Sequence, residues 1–499
     1  MERKANSKKE TAPLSTISGV ENAAFEGAVL EESTSASEGY TVDEALNKIG
    51  FGRYQIKMTC VIGFFGVADA LEVMLLSVLS PVLRCEWNLS EWDVATVSTV
   101  VFAGMLVFSP LWGKMSDNFG RWPTLFVVMF LLGWFGLLTS FSPTYSWLLF
   151  LRMIVGGAAS GTGQSFILYA EMLPPKHRGK MLVLTQLFWA TGSFILIAAA
   201  AIIIPWLGWR YLTGFTAILS WLSLCFFRLV PESPRFLLGK GRLLEATTLL
   251  ARIAKVNKTQ LPKGHLIVPP TQMQGKISDM LSKNYRRLTL QLWVVWFCMT
   301  FGYYGVVLSS TEIVERARIC DLSGQIVNQG EAVAVEDCGC RPLSGDDYMT
   351  LIVGTLGEFG SLFINAALMD LIGRKLTFVV NLLCCAFFVL MLNICTSRFV
   401  LSMFILCARM FMSAIGNCVY VYTSEVYPTT FRAVGLGVCS SVARIGSMIS
   451  PFIAQVLLAR SLPAGLGVYA VIMLITALNC LLLPIETKGK NLEETAVLH

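Results

Sequence analysis

The sequence predicts an all-α membrane protein with twelve transmembrane helices in two six-helix halves. Three observations predict it: the balance of apolar and charged residues, the length of the apolar blocks, and a set of motifs that occurs twice. Of 499 residues, 55% are hydrophobic and 14% charged, against roughly 25% charged in an ordinary soluble domain. Such a composition cannot clothe a water-facing surface. A helix needs about 20 apolar residues to cross a bilayer. Blocks of that length lie at 56–83, 92–112, 122–141, 146–171, 181–205, 208–228, 288–309, 348–369, 375–395, 399–426, 433–458 and 464–484.

Residues 1–50 are polar and rich in Ser, Glu and Ala. They lack the short apolar core and small-residue site of a cleaved signal peptide, so the stretch is expected to be a disordered cytoplasmic tail. At its end Thr41-Val-Asp-Glu44 has the form of a capping box for a short helix. Residues 51–228 make the first half. A polar cytoplasmic segment at 229–287, helical around Leu243–Lys255, separates it from the second half at 288–486, and 487–499 forms a second tail. Lys and Arg concentrate in the connections after even-numbered spans, most of all in the central segment, which puts both termini in the cytoplasm by the positive-inside rule. The net charge of +6 is thus distributed by membrane side and does not form a nucleic-acid-binding patch.

Cysteine use fits this topology. Most of the fourteen cysteines fall in predicted spans, Cys395 closing the ninth. Cys85, Cys320, Cys338 and Cys340 lie on the non-cytoplasmic, oxidising side. They are candidates for one or two disulfides holding the loop 310–347, with the pairing open. Asn88-Leu89-Ser90 on the same side is a candidate glycosylation acceptor.

The halves echo each other. Asp117, Gly120 and Arg121 recur as Asp370, Gly373 and Arg374, Glu171 and Arg178 recur as Glu425 and Arg432, and Pro231 recurs as Pro484, at an offset constant to within one residue. Three motifs at one offset imply duplication. With six spans per half the repeats run parallel, and the path for a solute lies between them.

Asp-x-x-Gly-Arg and its echo, Pro231-Glu232-Ser-Pro-Arg235 and Pro484-Ile-Glu486-Thr-Lys-Gly489 together resemble the major facilitator superfamily, in its branch of sugar porters and organic ion transporters. Ala68-Asp-Ala-Leu-Glu72, Cys85-Glu-Trp87 and Ile485-Glu-Thr-Lys-Gly489 resemble, within it, the synaptic vesicle 2-related group. The resemblance implies a cytoplasmic gate: Asp117, Arg121, Glu171, Arg178 and Glu232 in one half, and Asp370, Arg374, Glu425, Arg432 and Glu486 in the other, are expected to latch that side in the outward-facing state. Trp122 stands where the motif usually has a second basic residue.

Charges deep in spans are costly, about 2.5–3.5 kcal/mol each on insertion scales, and normally face a cavity or a partner. Asp69, Glu358, Arg409 and Arg444 sit 10 to 12 residues from a span end, roughly 15–18 Å into the bilayer, with Glu72 close by and Arg152 nearer the outer face. Asp69 and Glu72, three apart, share a helix face. They are the candidate proton carriers, since His177, His265 and His499 all lie in cytoplasmic segments. Arg444 lies in a stretch that resembles the eleventh span of organic anion transporters, where an Arg contacts substrate, and a guanidinium fork suits a carboxylate. Tyr303 and Tyr304 lie in a seventh span that lacks the Gln-Gln of sugar porters, which disfavours hexoses. Both are candidates to stack on a solute or to pack, and Arg152, Arg409 and Glu358 complete the candidate substrate site. The Gly156–Gly163 run has no following Gly-Lys-Ser/Thr, so it reads as close helix packing and not a phosphate loop.

The reading is a secondary transporter of a small organic solute, an organic anion, coupled to protons, in a vesicle or plasma membrane. The alternatives are an uncoupled carrier and a non-transporting scaffold of the same fold. No enzyme motif, cofactor or metal site is expected.

Overall fold

The computed structural model describes residues 39–267, 277–316, 343–428 and 431–488. They are almost wholly helical, and eleven helices are long and apolar enough to cross a membrane.

The first described residues belong to a folded layer. Strand β1, Gly39–Tyr40, pairs in parallel with β2, His265–Leu266. Helix α1, Val42–Ile49, follows, closed at its start by the Thr41–Glu44 capping box. Its apolar residues Val42, Ala45, Leu46 and Ile49 recur at helical spacing and are all buried, against α7 (Pro175–Leu184) and α11 (Leu243–Val256). This helix lies within the stretch 1–50, and it forms because its amphipathic face has somewhere to pack. We call the face carrying this layer the inner face and its opposite the outer face.

Helix α2, Arg53–Trp87, has 35 residues, about 52 Å at 1.5 Å per residue. Its most apolar stretch is 94% buried, so it runs through the middle of the molecule and not along the lipid. Helix α3, Glu91–Phe119, starts at a Ser90 cap closed by Asp93, and α4, Arg121–Ser140, returns to the outer face. The predicted fourth span is not one continuous helix. Helix α5, Tyr145–Ala159, ends in a tight turn and the chain resumes as α6, Gly163–Met172. Through the turn, amides bond three residues back, Gly161 to Ala158 at 2.8 Å and Gln164 to Gly161 at 3.0 Å, the tighter 3₁₀ pattern. Small residues there bring backbones together: a Cβ on Gly156 would strike the Val101 carbonyl, and one on Gly104 the Met153 carbonyl. Helices α8, Gln186–Leu207, and α9, Trp209–Cys225, complete the first half.

On the inner face follow α10, Pro234–Gly239, α11, and α12, Ile277–Met280. The second half repeats the first as α13, Arg286–Arg316; α14, Gly345–Ile372; α15, Arg374–Met391; α16, Arg398–Val426; and α17, Arg432–Pro451. After Pro451 a π-helical stretch, Phe452–Leu457, leads into the short α18, Leu458–Arg460, and the final α19, Leu462–Leu481. The π stretch accommodates the ladder that proline interrupts. The halves meet where α3 packs on α17, α8 on α14 and α2 on α13.

Candidate functional site: charged groups between and within the halves

At mid-depth the predicted charges sort themselves into two closed pairs and one open arrangement. In the first half, Arg152 on α5 reaches Glu72 on α2 at 3.2 Å, both side chains almost fully buried. In the second half, Arg409 on α16 meets Glu358 on α14 at 2.6 Å, again buried. A buried charge is tolerated only with a partner, and these four residues supply one another. Asp69, three residues before Glu72 on α2, makes no ion pair among the described residues. Its Oδ2 lies 2.8 Å from the Thr162 hydroxyl, in the turn that breaks the fourth span, and its buried Oδ1 has no hydrogen-bond partner. Arg444 comes from the other half, on α17. It lies 3.1 Å from the Met105 sulfur of α3 and interacts electrostatically with Asp69, Tyr304 and Tyr420.

The tyrosines divide the work. The Tyr303 hydroxyl donates to Glu358 at 3.1 Å and accepts from the Trp189 indole N–H at 2.9 Å. A single chain of bonds thus runs from α8 of one half through α13 to Glu358 and Arg409 of the other. Tyr304 packs its ring on Phe102 across the interface, with centroids 4.4 Å apart. The sequence singled out the charges and both tyrosines, but gave no sign of Trp189 or Thr162, which are unremarkable residues until folding sets them beside Tyr303 and Asp69.

The inner-face motif residues form two separate knots with the same design. Gly120 (φ 112°) and Gly373 (φ 82°) occupy the left-handed region that favours glycine. Each lets a carboxylate cap the helix that follows: Glu232 accepts from the amides of Arg121 and Trp122 at 3.0 and 3.2 Å, and Glu486 from those of Arg374 and Lys375 at 2.9 and 3.0 Å. Negative charge is favourable there because unpaired amides point out of the helix start. Burial opposes the charge on Glu486, but the amides of Arg374, Lys375, Lys488 and Thr487 outweigh it and hold the carboxyl below its usual range. Arg121 lies 3.4 Å from Glu171 and 3.5 Å from the exposed Asp117, while Arg374 grips Glu425 at 2.8 Å. Arg178 turns to Asp43 of α1 at 3.1 Å, and burial together with the neighbouring Arg235 pulls its pKa down. Arg432 donates to the Tyr427 carbonyl. Asp370 makes no ion pair among the described residues. Every one of these contacts stays inside its own half.

On the outer face Cys85 is disulfide-bonded. Cys320, Cys338 and Cys340 lie outside the described residues. Cys395 corrects the sequence reading: it is disulfide-bonded and sits beyond the end of α15 at Met391, in the outer connection and not in a span. The apolar Leu392 and Ile394 extended the hydrophobic block past the helix itself. Asn88 is exposed at the end of α2, in left-handed backbone with φ 51°.

Comparison with known proteins places this geometry. Residues 74–498 match the family of sugar (and other) transporters. The chain is 41% identical to SVOPL of Homo sapiens over 459 residues, covering 91% of this chain and 93% of that one. It is 40% identical to the synaptic vesicle 2-related protein of Bos taurus over 469 residues, covering 93% and 84%. Among solved structures it resembles the inward open xylose transporter XylE from E. coli, with a TM-score of 0.65 at 18% identity, covering 88% of this chain and 99% of that one. A D-xylose-proton symporter structure matches with a TM-score of 0.64 at 18% identity, covering 88% and 100%. The chain is therefore a membrane transporter of the sugar (and other) transporter family, in the synaptic vesicle 2-related group of the major facilitator superfamily.

Proposed function

We propose that this transporter carries a small organic anion by alternating access, together with a proton on Asp69, in a vesicle or plasma membrane with both tails in the cytoplasm. One observation carries the reading: Asp69 from one half and Arg444 from the other face the same interface, and among the described residues neither is closed in an ion pair. The remaining mid-depth charges are consumed by Glu72–Arg152 and Glu358–Arg409, as a scaffold would need, whereas this couple is left open.

The electrostatics give the coupling its sign. While Asp69 is ionised, its field offsets that of Arg444 and weakens the hold on an anion. A proton on Asp69 removes that offset, so Arg444 grips a carboxylate more firmly. By linkage the bound anion raises proton affinity by the same factor. Anion and proton then enter and leave together. Tyr304, beside Arg444, is placed to cover the solute, and Tyr303 with the Glu358–Arg409 pair forms the wall behind it.

The test is uptake by proteoliposomes under an imposed pH gradient, with a panel of small carboxylates. Concentrative uptake driven by the gradient is expected. Asp69→Asn should abolish its dependence on the gradient, and Arg444→Ala should weaken apparent affinity by tenfold or more, roughly the 1.5–3 kcal/mol of a hydrogen bond to a charged group. Gradient-driven flux unchanged in Asp69→Asn would reject proton coupling at this residue, and a panel with no flux at all would reject the carrier.

A further inference from the structure

Among the described residues one ion pair crosses between the halves, and it belongs to none of the motifs above. Arg84, near the outer end of α2, meets Glu312, near the outer end of α13, through two parallel bonds of 3.2 and 2.9 Å. The side chains are 11% and 4% exposed, so the pair is closed off from solvent and not laid over the surface. Bidentate geometry of this kind fixes orientation as well as distance.

Directly beneath, α2 and α13 close on each other. Between them remains a cavity of about 10 Å³ lined by Leu76, Ser77, Phe102, Tyr304, Val307 and Leu308, room for about one water. The other contacts between halves continue the closure: the Thr99 hydroxyl of α3 donates to the Met448 carbonyl of α17 at 3.1 Å, and Trp92 packs on Phe452. Among the described residues, every side-chain bond between halves lies on the outer side or at mid-depth. The ion pairs of the inner-face motif residues, by contrast, join partners within one half among the described residues. The solute path is thus shut outward and held together from the other side of the membrane than the family motifs.

We infer that Arg84 and Glu312 form the outer gate of the transport cycle: the pair is made when the path faces inward and must break, both charges separating into water, for the path to open outward. The inference rests on the alternating-access reading. A pair in this position suits a gate for an energetic reason. Moving two charges from a dry contact to water recovers much of their desolvation cost, so the open state is not far above the closed one. Sequence reading passed over both residues because charges at span ends are ordinary.

The test reads conformation and needs no solute. Ser77, under the gate, is replaced by Cys in the full chain reconstituted in proteoliposomes, and its labelling by a membrane-impermeant thiosulfonate from the outer face is timed against the same chain with Ser77 intact. Labelling should be slow with the gate intact. It should accelerate roughly tenfold in Arg84→Glu, where two carboxylates repel, a population shift of about 1.4 kcal/mol, and likewise in Glu312→Arg. The exchanged double variant Arg84→Glu/Glu312→Arg should return to the slow rate, which separates a gate from damage at either position. Thermal unfolding of each variant confirms that it is folded. Slow labelling in both folded single variants, or no recovery in the exchange, overturns the gate. If labelling behaves as expected while no carboxylate is transported, the gate stands and the proposed solute class falls.

Discussion

The Thr162 hydroxyl has one proton and two takers, Asp69 Oδ2 at 2.8 Å and the Ala159 carbonyl at 2.7 Å. When Asp69 is ionised the proton is drawn to the carboxylate. When Asp69 is protonated, the acid donates to Thr162, which turns its own proton to the backbone in the broken fourth span. Removing the hydroxyl leaves a buried carboxylate short of a donor, at a cost of about 1–3 kcal/mol. Thr162→Val should therefore cut gradient-driven flux roughly tenfold, while Thr162→Ser retains most of it; equal flux in both would remove Thr162 from the coupling. Glu72 and Arg152 should behave differently. Glu72→Gln strands a buried guanidinium and should cost about 3–5 kcal/mol of stability, whereas Glu72→Gln with Arg152→Met should recover most of that, as read by thermal unfolding in detergent. No recovery would mean that the pair does more than satisfy itself. At this scale the sequence showed which residues were too charged for their depth, but not who partners whom. Asp69 and Glu72 lie on one helix face by spacing alone, yet one turns to Thr162 and the other to Arg152, because the partners come from a helix that breaks between them.

Elements were legible in proportion to how local their causes are. The cap on α1 needs only Thr41 and Glu44, and α11 needs only its own periodicity; both follow from the sequence. The turn at Ser160–Thr162 forms where small residues bring neighbouring helix backbones together, so the apolar block at 146–171 runs smoothly through it; the block at 433–458 likewise hides the π stretch, although its cause, Pro451, stands in the sequence. The helix starts at Arg121 and Arg374 show a middle case: the motif residues, Glu232 and Glu486 included, are evident in the sequence, but not that each carboxylate caps a helix start 111 or 112 residues away along the chain. Since Glu486 is held below its usual range, its ionised form is favoured by folding. Its contribution is complete at neutral pH, above the unfolded value of about 4.3, and is lost as pH falls through the depressed folded value. Glu486→Gln should lower the thermal midpoint at pH 7 and make progressively less difference in acid below pH 4. A penalty that stays constant down to pH 3 would show that the amide bonds, and not the charge, are what matters.

Across the whole molecule, duplication was the most readable property. A constant offset between motifs already implied two bodies with a path between them, and the structure supplies the two knots, one per body, that the motifs build. What could not be read was which side is closed, because that depends on contacts between residues of different halves, and no spacing within a chain encodes them. The double hold on Asp43, by Arg178 at 3.1 Å and Arg235 at 2.5 Å, has a practical meaning at this scale. It rivets α1 to the first half, just as the Lys488 ammonium on the Leu371 carbonyl at 2.9 Å fastens the last described residues to the second. The first and the last described residues therefore each form a lever welded to one jaw. A donor dye placed at residue 39 and an acceptor at residue 488 would ride on opposite jaws, and their energy transfer would follow the bite of the transporter in real time.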